Sequence, residues 1–323
     1  MSPWLLLPAG ALTGALLTGV VTRYLRRRAI LDHPNERSSH AVPTPRGGGW
    51  GILLVLLPGW AALGVSPWVL AGAALLAAVS WLDDRHNLAP GPRLLVHVAA
   101  VGAGLVALGG EARVFQGWLP AGLDHLATGL CWLWFINLFN FMDGIDGLAG
   151  SEAVSVAGGL ALVVAAGGAA AGLLEPALVL AGAACGFLVW NWHPARVFMG
   201  DVGSIPVGFA LGWLLFAAAA AGLWPAALLL PLYFVTDASF TLARRFLAGK
   251  PVLQAHREHF YQQATQAGRS HAAVTLRVIA ANLVLIACAL AAPTLGWPAL
   301  AGGGLTVLAL ILSLRSAVTA PPV

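Results

Sequence analysis

The chain has 323 residues, of which 59% are hydrophobic and only 9% are charged, and its formal net charge is +4. Soluble domains carry about 25% charged residues, so this composition excludes a soluble globular protein. The positive charge does not indicate nucleic-acid binding, because the Arg and Lys residues lie between apolar segments, where membrane topology accounts for them. The three cysteines are far apart within apolar segments and indicate neither a disulfide framework nor a Cys-based metal site.

Eleven apolar segments have close to the roughly 20 residues that cross a bilayer. Four arginines follow the first segment instead of preceding it, an order that argues against a signal peptide and favours a retained span. The sequence thus predicts an all-α, polytopic membrane protein in which residues 1–323 form a single transmembrane domain. In chain order the predicted spans are approximately 4–22, 49–66, 67–83, 94–110, 124–141, 152–171, 174–191, 204–222, 224–241, 273–291 and 296–314.

Charged residues orient the predicted bundle. The loops and span ends on one side hold 16 of the 17 Arg and Lys residues, all but Arg113. Because positively charged loops stay in the cytoplasm, the N-terminus is predicted to be periplasmic and the C-terminus cytoplasmic. Ten of the 13 Asp and Glu residues share the cytoplasmic side, although carboxylates contribute little to topology, so we expect the chemistry there. The predicted cytoplasmic loops are 22–48, 84–93, 142–151, 192–203 and 242–272.

The first polar cluster on that side is Asp83–Asp84, at the end of the third span. Adjacent carboxylates repel each other unless a cation or a donor lies between them. The pair fits either a solvated span end or a site that orients a phosphate or helps to hold a divalent metal ion. Arg93 opens the next span, where its paired N–H donors fit a lipid phosphate; a simple topological anchor is the alternative.

The second cluster follows the fifth span and contains Asn140, Asp143 and Asp146, with a glycine after each aspartate. If the end of this span is helical, Asn140 and Asp143 share one face. An ordinary polar turn is the alternative, but it requires fewer carboxylates than this segment carries.

The third cluster is Asp201, which stands between two glycines just before the eighth span. A carboxylate combined with substrate phosphates is the usual way in which proteins hold Mg²⁺. A helix N-cap would use the same residue, and the two functions are compatible.

The last cluster is His256-Arg257-Glu258-His259 in the longest cytoplasmic loop. Two histidines three residues apart share a face of a short helix. Because no clear third ligand accompanies them, anion binding is favoured over a zinc site.

Taken together, these motifs resemble the polyprenyl-phosphate N-acetylhexosamine-1-phosphate transferase family, also called glycosyltransferase family 4. The resemblance covers residues from about 32 to 260, with the motifs in the order of that family. The matching segments are Arg37-Ser38-Ser39-His40 with residues 43–49, Asp83–Asp84, residues 137–149 and residues 198–204.

The resemblance implies a fold of ten or eleven helices, Mg²⁺ or alternatively Mn²⁺ as the cofactor, and a bacterial inner membrane location. It implies a UDP-N-acetylhexosamine donor and undecaprenyl phosphate as acceptor in the bilayer; homodimer formation is left open. Residue by residue, it implies that Asp201 and Asn140 hold the metal and that Asp83 and Asp84 act beside Asp201 in catalysis. It also implies a lipid-phosphate site at Arg93, a nucleotide site at His40, Asp143, Gly144 and Asp146, and a pyrophosphate and sugar site at His256, Arg257 and His259.

Two departures from the family pattern separate its branches. His40 stands where the branch that uses the muramyl-pentapeptide donor has a lysine, and His-Arg-Glu-His replaces the triple histidine of that branch. The sequence therefore favours an enzyme that starts O-antigen or another surface glycan with GlcNAc or a 6-deoxy-HexNAc. A phospho-N-acetylmuramyl-pentapeptide transferase is the alternative within the family. An anionic-solute transporter is disfavoured, because the centres of the spans carry almost no charge.

Overall fold

The computed structural model of the chain describes residues 2–33, 42–86, 88–167, 169–251 and 256–315. Within these ranges the chain forms thirteen α-helices and one short antiparallel hairpin of two strands, β1 (Leu31–Asp32) and β2 (Thr44–Pro45). The helices are α1 (Leu6–Arg27), α2 (Trp50–Ala62), α3 (Pro67–His86), α4 (Pro90–Leu108), α5 (Ala121–Phe141), α6 (Leu148–Gly167), α7 (Leu174–Asn191), α8 (Asp201–Ala218), α9 (Trp224–Leu229), α10 (Leu232–Leu247), α11 (Phe260–Gln266), α12 (His271–Leu295) and α13 (Trp297–Arg315).

The helical bundle agrees with the all-α membrane class. Each of the eleven predicted spans overlaps a helix, but the ninth is divided into α9 and α10 at Pro231, where proline supplies no backbone N–H for the helix. Seven helical stretches among the described residues are long and apolar enough to cross a bilayer. The protein is therefore a multi-pass membrane protein, whereas the count of eleven spans and their orientation remain predictions.

Helix α8 occupies the centre of the bundle. Fifteen of its 18 residues are buried, and it packs against α2, α3, α4, α5 and α6. On the α5 side, the Trp132 ring stacks on Phe209 with a centroid distance of 5.0 Å and donates a 3.1 Å hydrogen bond to the Phe209 carbonyl oxygen. This packing fixes the N-terminus of α8 at one end of the bundle, surrounded by the ends of other helices.

The segment after β2 lies against the N-terminus of α8. The Phe198 amide donates to the Pro45 carbonyl oxygen at 2.8 Å, and the Gly48 amide donates back to the Phe198 carbonyl oxygen at 2.8 Å. A side chain at Gly49 would collide with the backbone of Gly203, so the glycine permits this close approach. The contact brings Arg46, from a distant part of the sequence, beside Asp201.

Candidate active site

Two arginines and three carboxylates meet at the N-terminus of α8, and we call Arg46, Asp83, Asp84, Arg93 and Asp201 the carboxylate–arginine cluster. Arg46 Nη2 lies 2.9 Å from Asp84 Oδ1 and 2.8 Å from Asp201 Oδ1. Arg93 reaches Asp83 Oδ2 at 2.7 Å and Asp201 Oδ2 at 3.4 Å. Asp201 is therefore the common partner of two guanidinium groups that come from different segments.

The Asp83 and Asp84 side chains are only 8% and 6% exposed, so the pair is not a solvated helix end. Each carboxylate also accepts a backbone hydrogen bond, from the Leu88 amide at 2.7 Å for Asp83 and from the Val202 amide at 3.3 Å for Asp84. The two side chains thus have separate partners: Asp83 pairs with Arg93, and Asp84 faces α8. The two adjacent carboxylates are therefore not held together by one cation shared between them.

Oxygen donors suited to Mg²⁺ gather at the first turn of α8. Asn140, the last polar residue of α5, accepts a 2.6 Å hydrogen bond from Ser204 Oγ, and Ser204 also bonds the Gly200 carbonyl oxygen at 3.2 Å. Asn140 therefore lies beside the turn that begins with Asp201. Carboxylate and amide oxygens are the hard ligands that Mg²⁺ takes, so the donor set fits the expected ion. Both Asp201 oxygens contact arginines, and a bound cation would compete with these contacts.

Asp143 lies in the loop between α5 and α6, close to the carboxylate–arginine cluster. Burial raises the pKa of Asp143 to about 7, and the negative charge of Asp201 adds to the effect. Gly144 lies against the Tyr261 hydroxyl and the Gln262 side chain, and that hydroxyl donates to the Phe141 carbonyl oxygen at 2.9 Å. The loop of Asp143 is thereby covered by the start of α11.

Asp146 lies in the same loop but is enclosed by donors. Its Oδ2 accepts from His193 Nδ1 at 2.7 Å and from the Ala195 amide at 3.1 Å, and His271 Nδ1 lies 3.3 Å from Oδ1. Burial raises the pKa of Asp146, but the hydrogen bonds from His271 and His193 outweigh it and hold the pKa below its usual range. Asp146 is thus an anion with little unused hydrogen-bonding capacity.

The loop with His256, Arg257 and His259 is anchored by the buried Asp237 of α10. The Asp237 carboxylate accepts from His259 Nδ1 at 3.2 Å and from the Phe260 amide at 3.1 Å, and it also accepts from Tyr233, Thr241 and Tyr261. His259 is only 2% exposed, so its visible role is to hold the loop in place. The Arg257 carbonyl oxygen accepts from Gln266 Nε2 at 2.8 Å, which ties the loop to α11.

His256 packs beside His259 with a ring-centroid distance of 4.9 Å. Burial, with the nearby His259 and Arg245, lowers the pKa of His256 to about 4, so its imidazole is neutral at pH 7. Glu258 also pairs with Arg245 and Lys250. The loop therefore offers less free positive charge than its composition indicates.

Four residues of the site were not assigned a role from the sequence: Arg46, His193, Asp237 and His271. Arg46 stands within the recognised segment 43–49, and Asp237 carried a general signal, since an ionisable residue within a span is usually functional. No sequence pattern indicated His193 or His271, because the role of each depends on its contact with Asp146 in the folded chain.

Among the described residues, the group with metal-ligand spacing is Asp146 with these two histidines rather than His256 with His259. His40 lies outside the described residues.

Comparison with known proteins supports the resemblance. The model of Glycosyl transferase family 4 matches residues 66–219, a range that holds Asp83, Asp84, Arg93, Asn140 and Asp201. The chain is 27% identical over 277 residues to the probable undecaprenyl-phosphate N-acetylglucosaminyl 1-phosphate transferase of Bacillus subtilis, covering 80% of this chain and 76% of the relative.

Two other relatives differ in how much of their length is matched. The decaprenyl-phosphate N-acetylglucosaminephosphotransferase of Mycolicibacterium smegmatis is 30% identical over 326 residues, covering 83% of this chain and 77% of the relative. A phospho-N-acetylmuramoyl-pentapeptide-transferase of Synechococcus elongatus is 34% identical over 209 residues, covering 56% of this chain and 55% of the relative.

Proposed function

Because the chain belongs to glycosyl transferase family 4, we propose that it transfers N-acetylhexosamine-1-phosphate from a UDP-sugar to undecaprenyl phosphate and releases UMP. GlcNAc is the first donor sugar to test, since two relatives matched over most of their length carry it in their names; a 6-deoxy-HexNAc is the second. We place the reaction at the cytoplasmic face of the bacterial inner membrane, as the first membrane step of O-antigen or other surface glycan synthesis.

The observation that carries the proposal is the carboxylate–arginine cluster at the N-terminus of α8. The reaction joins two anions, so its main requirement is the neutralisation of charge and the alignment of the reacting phosphates. Arg46 and Arg93 offer guanidinium groups at this point, with Arg93 as the contact for the lipid phosphate. Asp201 and Asn140 offer oxygen ligands for Mg²⁺, which when bound would neutralise charge on the donor phosphates.

In the proposed reaction an oxygen of the lipid phosphate attacks the β-phosphorus of the UDP-sugar, and the bond to the UMP oxygen breaks. A strong base is not required, because the second pKa of a phosphate monoester is about 6. Asp83 and Asp84 act as orienting groups or proton acceptors for the lipid phosphate. Asp143, Gly144 and Asp146 form the nucleotide side, while His256 and Arg257 lie in the loop assigned to the pyrophosphate and sugar.

The second candidate within the family is a phospho-N-acetylmuramyl-pentapeptide transferase. Its support is the 34% identity with the Synechococcus elongatus relative, over about half of each chain. Against it stand His40 and the His-Arg-Glu-His motif, which differ from the pattern of that branch. The two candidates differ in the donor, so a panel of donors separates them.

The decisive experiment follows UMP release by the purified full chain in detergent with Mg²⁺ and undecaprenyl phosphate. The donors are UDP-GlcNAc, a UDP-6-deoxy-HexNAc and UDP-MurNAc-pentapeptide. We expect lipid-dependent release with one of the first two donors, and a loss of at least about 100-fold in Asp201→Ala. Glu111→Ala, which removes a fully exposed carboxylate, is the matched control and should retain activity. No lipid-dependent release with any donor, or equal activity of Asp201→Ala and wild type, would contradict the proposal.

A further inference from the structure

His97 is a buried histidine of α4 to which the proposed reaction assigns no role. The residue is 6% exposed, and its Nδ1 has no hydrogen-bond partner among the described residues. A buried polar atom without a partner destabilises the fold, and an ionisable residue inside a membrane span is usually functional. The unpaired nitrogen therefore requires an explanation beyond the packing of α4.

His97 lies directly behind two residues of the carboxylate–arginine cluster. Together with Ser80 it lines a small cavity that is bordered by Asp83, Arg93 and aliphatic side chains of α3 and α4. Residues four positions apart are neighbours on a helix face, and helical side chains point back toward the N-terminus, so the imidazole is directed toward Arg93. Of the surrounding charged groups, Arg93 acts on the imidazole most strongly, ahead of Asp201 and Asp83.

The walls of the cavity limit which group can pair with Nδ1. The cavity has no room for a water molecule, and the burial of the ring keeps a substrate from it. The side-chain donors that border the cavity are the Ser80 hydroxyl and the Arg93 guanidinium. Ser80 has a short side chain on α3 and would reach Nδ1 only if the helices moved. Arg93 has a long side chain that is 31% exposed, so it is the donor that can change its contacts.

The two carboxylate contacts of Arg93 differ in length. Nη1 lies 2.7 Å from Asp83, whereas Nη2 lies 3.4 Å from Asp201. Asp201 is also an expected ligand of Mg²⁺, so the longer contact is the one that the proposed reaction exchanges. A guanidinium carries five N–H donors and can therefore contact a phosphate, Asp83 and one further acceptor at the same time.

We infer that His97 is a positioning residue for Arg93: its Nδ1 accepts a hydrogen bond from the guanidinium when Arg93 exchanges Asp201 for the lipid phosphate. The inference rests on the proposed function, which supplies that phosphate. The nitrogen is unpaired before the lipid phosphate binds and paired afterwards, so its pairing favours the bound arrangement. His97 thus acts on the lipid phosphate through Arg93 and does not touch it.

A neutral acceptor suits this position better than a charged one. Another carboxylate would orient the guanidinium but would also repel the phosphate. A neutral imidazole accepts one hydrogen bond and leaves the positive charge of Arg93 available to the phosphate. An apolar side chain in its place would leave the guanidinium less well oriented.

The test measures the concentration of undecaprenyl phosphate that gives half-maximal thermal stabilisation of the purified full chain in detergent. The buffer contains Mg²⁺ at about pH 8, above the ordinary titration range of imidazole. We expect His97→Leu to need at least about tenfold more lipid than the wild type, with an unchanged requirement for UDP. His97→Gln, whose amide oxygen accepts a hydrogen bond, should stay within about threefold of the wild type. Undecaprenol, which lacks the phosphate, should act equally on all three proteins.

A double-mutant cycle gives a readout that a merely structural role would not move. In an Arg93→Ala background, where the apolar tail still binds, His97→Leu should not raise the lipid requirement further, because His97 acts only through Arg93. Ser80→Ala removes the rival donor and should behave like the wild type. His125→Leu, in α5 on the predicted periplasmic side, is the matched histidine control and should retain the lipid requirement of the wild type.

Several outcomes would overturn the inference. These are an unchanged lipid requirement in His97→Leu, an equal rise in His97→Gln and His97→Leu, additive effects of His97→Leu and Arg93→Ala, and a rise in Ser80→Ala that matches that of His97→Leu. A parallel rise in the UDP requirement of His97→Leu, with a lower unfolding temperature in the absence of lipid, would assign His97 a structural role instead.

The lipid-binding readout is independent of the transfer assay. A lipid requirement that depends on His97, combined with no UMP release from any donor, would support the inference and contradict the proposed transfer reaction. UMP release by the wild type, combined with an unchanged lipid requirement in His97→Leu, would support the transfer reaction and overturn the inference.

Discussion

Arg46 connects the two carboxylates that flank the N-terminus of α8. Its guanidinium lies 2.9 Å from Asp84 and 2.8 Å from Asp201, so one positive charge is shared between two carboxylates. In the proposed reaction a divalent cation and phosphate groups would enter the same space, and Arg46 could then contact a phosphate in place of a carboxylate. Removal of Arg46 should therefore affect metal binding and turnover in opposite directions.

We therefore expect Arg46→Ala to bind Mg²⁺ more tightly and to transfer more slowly. Removing the competing guanidinium frees an oxygen of Asp201, which should lower the Mg²⁺ concentration needed for half-maximal thermal stabilisation by about tenfold. Loss of a charge-neutralising donor should lower the rate of UMP release by about 100-fold. Arg85→Ala is the control, because Arg85 lies over the Trp81 ring at 5.0 Å rather than in the cluster. Unchanged Mg²⁺ dependence together with an unchanged rate would show that Arg46 neither competes with the metal ion nor neutralises charge during transfer.

The raised pKa of Asp143 links the stability of the protein to pH. Burial raises its pKa to about 7, above the ordinary value of about 3.9. The folded state therefore binds the proton more tightly than the unfolded state does. This stabilising contribution is fully present below the ordinary pKa and is lost as the pH rises through about 7.

We expect Asp143→Asn, which cannot ionise, to raise the thermal midpoint in EDTA by at least about 2–4 °C more at about pH 8 than at about pH 5. Thermal unfolding of both proteins across this range is the measurement. Glu111→Gln, an exposed carboxyl group on the predicted periplasmic side, should show no such difference. A stability difference for Asp143→Asn that is the same at both pH values would contradict the assignment of the raised pKa.

At the scale of the elements, α1 is attached to the bundle through small residues of α7. A side chain added at Gly14 would lie 2.9 Å from the Ala183 carbonyl oxygen, and one added at Gly186 would collide with the backbone of α1. Close backbone contact at small residues is the usual basis of helix association in a bilayer, where no hydrophobic force drives the helices together. The position of α1, and with it the start of the segment that carries Arg46, depends on this contact.

We expect Gly186→Ala to destabilise the protein by about 1–3 kcal/mol through overpacking against α1. Gly158→Ala is the matched control in α6, because nothing lies within 4 Å of the position of its added methyl group. That control should be neutral or stabilising by about 0.5–1 kcal/mol. Thermal unfolding in detergent compares the two variants, and equal midpoints would show that the α1–α7 contact tolerates an added methyl group.

A second element-scale feature is the attachment of α11 to α10. Asp237 accepts hydrogen bonds from both the side chain of His259 and the backbone at the start of α11, and Tyr261 then reaches the end of α5. The histidine loop is thus fixed over the Asp143 loop by one buried carboxylate. The effect of a His259 substitution on the reaction would arise through the position of this loop.

At the scale of the whole molecule, the site lies at one end of the bundle, and the distribution of positive charge predicts that this end is cytoplasmic. The prediction can be tested in a cysteine-free variant that lacks Cys131, Cys185 and Cys288. Trp118 lies between α4 and α5 and Leu247 lies at the end of α10, and their exposed fractions are 80% and 84%. These two positions are on opposite sides of the membrane in the predicted topology.

We expect Trp118→Cys to react with a membrane-impermeant maleimide in spheroplasts with intact inner membranes. Leu247→Cys should react only after these membranes are permeabilised, because positively charged loops stay in the cytoplasm. Reaction of both cysteines in permeabilised spheroplasts is the control for accessibility. The reverse pattern in intact spheroplasts would invert the orientation and move the site to the periplasmic face.

The sequence by itself determined the membrane class, the approximate helices and the segments that carry the polar clusters. These features are local, because span length and apolar composition follow from the chain near each helix. Local composition did not predict every helix boundary. The ninth predicted span was a single segment that contains Pro231, whereas the structure divides it into α9 and α10.

Only the tertiary structure decided which charges are partners. Arg46 and Asp201 are 155 residues apart and yet share a 2.8 Å hydrogen bond, and Asp146 is enclosed by His193 and His271 from two other segments. A motif can identify a carboxylate, but its protonation and its free hydrogen-bonding capacity depend on burial and on donors from distant parts of the chain. Those donors come together only when α8 is packed at the centre of the bundle.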